Sequence, residues 1–198
     1  MRAEGLSKAF GKTVVLHDFN LELPETGIIG FFGPSGCGKT TLFSLLAGLE
    51  NPDAGCITNR PKTVSYVFQE DRLLPWCTVL ENVRIGAGVT EELAVRVLEQ
   101  VGLKKALHQY PEELSGGMGR RVAFARALAF SACVLLMDEP FSNIDQGNKE
   151  KLYELIKKRK KEQLIGIISH DKDELYKLCD EVIELCGPPL KIMAINKM

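Results

Sequence analysis

Short apolar runs bounded by turn residues alternate with stretches of helical periodicity along this chain. Gly27-Ile28-Ile29-Gly30-Phe31-Phe32 follows the turn Pro24-Glu25-Thr26-Gly27 and predicts a buried strand. Val14–Leu16 and Leu21–Leu23 read as two earlier strands separated by polar residues. From Lys39 to Leu49 the period becomes helical, with Leu42, Leu45 and Leu46 on one face. Asn51–Gly55 is a turn and Val64–Phe68 another strand. From Glu70 to Leu128 the pattern is mostly helical. Thr90 can cap a helix that buries Ala94, Val97, Leu98 and Val101, and Ser115 can cap one carrying Val122, Ala125 and Leu128. Strand character returns at Cys133–Met137 and Leu164–Ser169, with a helix between them that turns Leu152, Leu155 and Ile156 inward. Gly187-Pro188-Pro189 precedes a last short strand.

This alternation predicts an α/β fold with a mainly parallel sheet. About 1–69 and 129–198 read as the core, with about 70–128 as a helical subdomain inserted into it. The 198 residues carry a formal net charge of −1, so no basic excess points to nucleic acid. The one basic run, Lys157 to Lys161, fits the solvated end of a helix. The six cysteines form no C-x-x-C pair, which favours reduced thiols over a metal site or a disulfide framework. The first residues show no signal peptide, and no apolar stretch approaches the ~18 residues of a membrane span. Any membrane role therefore calls for a second chain.

The chemistry concentrates in a few stretches. Gly33-Pro34-Ser35-Gly36-Cys37-Gly38-Lys39-Thr40 fits the phosphate-loop pattern between a strand and a helix. Glycines let the backbone curl with its N–H groups inward, and the helix adds its positive end. Lys39 supplies a charge to the β- and γ-phosphates and Thr40 a hydroxyl ligand for Mg²⁺; Thr41 continues the phosphate-binding set. Cys37 is placed either as a reactive thiolate at a helix N-terminus or as a small buried filler. Asp138 ends a buried apolar strand, where a carboxylate is costly without a partner such as a metal. Glu139 follows it. Leu114-Ser115-Gly116-Gly117 opens another helix whose N-terminal N–H groups, with Ser115, can receive a phosphate.

Together these stretches resemble the ATP-binding subunit of ATP-binding-cassette (ABC) transporters, from Phe10 to about His170. The resemblance implies a P-loop NTPase core with a small antiparallel β region and a helical subdomain. It implies that Asp138 coordinates Mg²⁺ and that Glu139 is the general base toward the attacking water. Gln69 matches the glutamine that reaches Mg²⁺ and the water, His170 the histidine that contacts the γ-phosphate, and Phe10 the aromatic residue that stacks on adenine. Ser115, Gly116 and Gly117 match the signature loop, which receives the γ-phosphate of ATP held by a second copy. Ser142–Asp145 matches a loop that crosses the dimer interface. Met118 stands where the family usually has Gln, and Gly119-Arg120 where it has Gln-Gln.

Leu73-Leu74-Pro75-Trp76-Cys77-Thr78-Val79 with Glu81-Asn82-Val83 resembles the nitrate, sulfonate and taurine importer group, which includes importers of pyrimidine precursors. This implies a peripheral ATPase on the cytoplasmic face of the membrane, working as a homodimer with membrane permease subunits and, indirectly, a solute-binding protein. Leu73, Leu74 and Trp76 then offer a landing surface for a permease helix; the alternative is ordinary subdomain core, and both can hold at once. An exporter ATPase and, more remotely, a non-transport ABC ATPase are the alternatives. The interval from Lys39 to Gln69 is short for the family, so a trimmed antiparallel region is expected, and no C-terminal regulatory domain is expected.

Overall fold

The computed structural model describes residues 1–198. A six-stranded sheet in the order β5-β6-β7-β3-β8-β9 forms the centre: β3 (Gly27–Phe32), β5 (Val64–Val67), β6 (Val134–Asp138), β7 (Leu164–Ile168), β8 (Glu181–Cys186) and β9 (Lys191–Lys197). All its pairs are parallel except β8 with β9 at one edge. A second, antiparallel sheet has the order β2-β1-β4, from β1 (Arg2–Phe10), β2 (Thr13–Glu22) and β4 (Ala54–Thr58). The expected mainly parallel α/β core with a small antiparallel region is thus present.

Alternation along the strands explains the layering. Ile28, Leu135, Met137, Ile165 and Ile167 face one core, built with helices α2 (Val79–Ala87), α3 (Glu91–Gln100), α4 (Gly116–Ala129), α5 (Gln146–Arg159) and α6 (Lys172–Leu178). Ile29, Phe31, Leu136 and Ile168 face the other, shared with α1 (Lys39–Ala47) and the antiparallel sheet. Both faces are covered, so the strands are apolar throughout, as parallel strands usually are. Phe43 of α1 meets Phe31 edge-on at 5.0 Å between ring centres. It reaches the sheet because Gly166 leaves room; a Cβ there would lie 3.1 Å from its ring and 2.9 Å from Leu136. Truncating so buried a ring costs about 3–5 kcal/mol.

Several elements differ from the pattern-based expectation. The two expected strands at 14–16 and 21–23 are one strand, β2, kinked where Asp18 takes φ 47°. Helix α1 stops at Ala47 because Gly48, in the left-handed region at φ 76°, returns its N–H to Ser44 and Leu45. The Asn51–Gly55 turn runs directly into β4, the one strand of the antiparallel sheet between α1 and β5. β1, α6 and β8 carry no element in the pattern-based reading.

The loop before α2 is held tightly. Thr78 and Glu81 form a reciprocal capping box. Buried Asn82 accepts from Leu74 N (2.7 Å) and donates to the carbonyls of Leu74, Cys77 and Thr78. This frame leaves Trp76 73% exposed, which removes the reading of Trp76 as core. No helix is long and apolar enough to cross a membrane.

Candidate active site

Because β3, β5, β6 and β7 are parallel, the residues that follow them gather at the carboxyl-terminal end of the sheet, where ligands of open α/β sheets bind. A cleft of about 300 Å³ lies there, lined by Ser35, Gly36, Gly38, Lys39, Thr40 and Thr41 after β3, by Gln69 after β5, by Asp138 at the end of β6 and Glu139 just after it, and by His170 after β7. Sequence-distant motifs therefore share one space.

The loop between β3 and α1 needs its glycines for different reasons. A Cβ at Gly33 would strike the Leu185 carbonyl at 2.5 Å, so this glycine seats the loop on β8. Gly38 has φ 115° and opens α1 with no side-chain cap, which leaves the first N–H groups of the helix free for an anion. Lys39, 6% exposed, donates to Gly33 O (2.7 Å) and Pro34 O (2.9 Å). Cys37 is fully buried and does not line the cleft, although Lys39 Nζ lies 3.8 Å from its Sγ; this burial favours the filler reading over the reactive thiol.

Thr40 Oγ1 donates to Asp138 Oδ2 at 2.6 Å and joins two motifs across the sheet. Asp138 is 2% exposed, and burial raises its carboxyl above the ordinary range against the pull of Thr40 and Lys39. Glu139 sits in the left-handed region at φ 50°, a conformation that non-glycine residues adopt at a cost and that clusters at functional sites. Burial first, and then the charge of Asp138, push its carboxyl up to about 7. Its Oε1 is buried without a hydrogen-bond donor.

His170 Nε2 lies 3.3 Å from Ser35 Oγ and 3.4 Å from Glu139 Oε1. The residues around it are fixed through Glu174, which sequence reasoning missed. Buried Glu174 accepts from Ser169 Oγ (2.9 Å), Tyr153 OH (2.7 Å) and Lys149 Nζ (3.1 Å), tying α5 to the end of β7. The spacing from His170 to Glu174 is one helical turn, but nothing in that spacing reports burial.

Two expected parts lie outside the cleft. Phe10 stands at the end of β1, 49% exposed, with Lys8 Nζ 5.4 Å from its ring centre. Ser115, Gly116 and Gly117 open α4 elsewhere on the chain. Ser115 Oγ caps α4 through Met118 N, and a Cβ at Gly117 would strike Asn143 O at 2.5 Å, so this loop packs on the segment Ser142–Asp145.

The donor set suits Mg²⁺. No group of three or more His, Cys, Asp or Glu side chains is arranged to hold a metal ion. A hydroxyl and a carboxylate already within 2.6 Å of each other beside a phosphate loop are the few protein oxygens that Mg²⁺ takes when phosphate and water complete its shell.

Fold and site define a phosphate-binding α/β domain of the P-loop kind. The sequence pattern of the ABC transporter family matches residues 16–142, and the chain belongs to that family. It is an ATP-binding cassette. Its relatives include an aliphatic sulfonates import ATP-binding protein of Paraburkholderia xenovorans, 42% identical over 90% of this chain and 74% of that protein. Another, from Rhodococcus jostii, is 39% identical over 91% of this chain and 77% of that protein. A dimeric, post-hydrolysis structure of an ATP-binding cassette bound to ADP and Pi superposes with a TM-score of 0.90 at 26% identity, covering 99% of this chain and 97% of that one.

Proposed function

We propose that this chain is the ATP-hydrolysing subunit that energises a membrane importer, with an aliphatic sulfonate as the solute. The observation that carries the reading is the meeting of Lys39, Thr40, Gln69, Asp138, Glu139 and His170 in one cleft. The import function named for relatives at about 40% identity over nearly the whole chain supports the rest.

In this reading the phosphate loop and the uncapped start of α1 hold the phosphates of ATP, and Lys39 leaves its two carbonyls to meet the β- and γ-phosphates. Thr40, Asp138 and Gln69 hold Mg²⁺, which when bound polarises the γ-phosphoryl oxygens. Glu139 takes a proton from the attacking water, a task suited to a carboxyl tuned to about 7. His170 orients the γ-phosphate from the other side, and Phe10 stacks on adenine. Two copies close on two ATPs, and Ser115–Gly117 of one reach the nucleotide of the other. Residues 70–128 act as a helical subdomain that meets permease subunits on the cytoplasmic face of the membrane; a solute-binding protein delivers the sulfonate on the other side.

Reconstituting the chain with its permease and binding protein in proteoliposomes tests this. ATP-dependent uptake of an alkanesulfonate in preference to nitrate is expected. Uptake that ignores ATP overturns the energising role, and preference for nitrate overturns the solute.

A further inference from the structure

Helix α4 carries Arg120 into the space between two loops of the active site. Its side chain is almost fully enclosed, 3% exposed. Nη1 donates to the carbonyls of Phe68 and of Gln69 (3.0 Å) and lies 3.3 Å from Asp71 Oδ1. Nη2 donates to the carbonyls of Asp138 (2.7 Å) and Glu139. Four carbonyl oxygens thus converge on one guanidinium, two from the chain leaving β5 and two from the chain leaving β6.

A buried cation is costly unless its hydrogen bonds are met; those of the two terminal nitrogens are met mainly by backbone dipoles, while Nε is buried without an acceptor. The planar fork of arginine is what allows it, since each terminal nitrogen serves a different loop; a lysine ammonium has a single centre. Gly119 makes room beside it, because a Cβ there would lie 2.8 Å from Asp71 Oδ2. A second arginine of α4, Arg126, takes the next carbonyls, Asp71 O (3.0 Å) and Arg72 O (2.9 Å). The segment that carries Gln69 is therefore stapled to α4 along its length, and Ser115–Gly117 open the same helix.

We propose that Arg120 is a positioning residue that couples the two ends of the machinery. By locking the Gln69 loop and the Asp138–Glu139 strand end to α4, it makes them move with Ser115–Gly117. Engagement of that loop by the nucleotide of a second copy then sets the placement of Gln69 and Glu139 in the same chain. The inference rests on the proposed ATPase reading for its consequence, and on the hydrogen bonds of Arg120 for the lock itself.

The test compares the full chain with Arg120→Lys and with Arg120→Met, which keeps the aliphatic stem and removes the fork. Amide hydrogen exchange without nucleotide reads the lock: protection should fall together at residues 68–72 and 139–143. Loss in only one segment, or in neither, overturns it. Steady-state hydrolysis and binding of a fluorescent ATP analogue, below the unfolding midpoint of each variant, read the consequence. Turnover should fall about 10–100-fold, the usual cost of misplacing catalytic groups, with ATP affinity little changed. Full turnover in Arg120→Lys, or equal losses of turnover and affinity that follow the folded fraction, overturns the positioning role. Absence of ATPase activity in the unaltered chain speaks against the proposed function instead, and the exchange data still decide the lock.

Discussion

His170 Nε2 lies 3.4 Å from Glu139 Oε1, while the backbone N–H of Glu139 is held by Ile168 O at 3.0 Å. The end of β7 thus both anchors the strained turn at Glu139 and brings an imidazole to its carboxylate.

A pH dependence follows. Burial and the neighbouring Asp138 put the Glu139 carboxyl at about 7, above its ordinary value of 4.5. Protonated, it cannot accept a proton, so turnover should fall as the pH drops through about 7 and level off above it. Glu139→Gln should abolish this limb and lower turnover by about 10²–10⁴-fold, the range for a lost general base, with ATP still bound. Rates measured across pH 5.5–9 on both proteins check this; an unchanged limb in Glu139→Gln assigns it to another group.

The same shift has a stability consequence of defined sign. A carboxyl raised in the folded state contributes fully below its unfolded value near 4.5, and that contribution is lost as the pH rises through about 7. Glu139→Gln should therefore unfold at higher temperature than the native chain at pH 8. A gain of about 2–4 °C is expected, the effect of about 1 kcal/mol in a domain of this size after allowance for partial solvation. Calorimetry at pH 5 and pH 8 checks it, and the gap should narrow at pH 5.

Ser115–Gly117 and the Lys39 cleft occupy different places on one chain, so a shared site predicts complementation. Lys39→Ala and Ser115→Arg should each be inactive alone. Mixed, they form a heterodimer with one intact composite site, and part of the ATPase activity should return. Proven heterodimers without recovery would refute the shared site.

Cys37 is fully buried, whereas Cys56 and Cys133 are exposed. Maleimide labelling of the folded chain should modify Cys56 and Cys133 and leave Cys37 unmodified, with ATPase activity retained in a Cys56→Ser/Cys133→Ser variant. Mass spectrometry of the labelled peptides decides it.

Trp76→Ala should leave the unfolding temperature nearly unchanged, because the ring is 73% exposed and the loop is framed by Asn82. Permease pull-down and transport should fall more than basal hydrolysis. A large drop in thermal stability would contradict this exposure.

The strand–glycine loop–helix unit and the Asp138-Glu139 strand end were legible because each couples an unbroken apolar run to a short polar motif. β1 was not: only Ala3 and Leu6 are buried, three positions apart rather than two, and Gly5, at φ 60°, lies where its register with β2 shifts. α6 spans only Lys172–Leu178, too short for a period to show. Phe10 was legible as an aromatic residue, but its place outside the cleft depends on the β1–β2 hairpin. Arg120 was visible only as a departure from a family pattern. Its partners are backbone carbonyls 51 and 52 positions away on one side and 18 and 19 on the other, and no side-chain pattern announces them.

The strand order sets when the nucleotide site comes into being. β3 delivers the phosphate loop, yet both its neighbours, β7 and β8, lie beyond Gln163. A growing polypeptide therefore carries Ile28, Ile29 and Phe31 on a strand with two open edges for most of its synthesis, a state prone to wrong pairing. Closing contacts of such long range is slow. No fragment ending before β7 can hold ATP in the manner proposed, and translation must pass Cys186 before the central strand is paired on both sides.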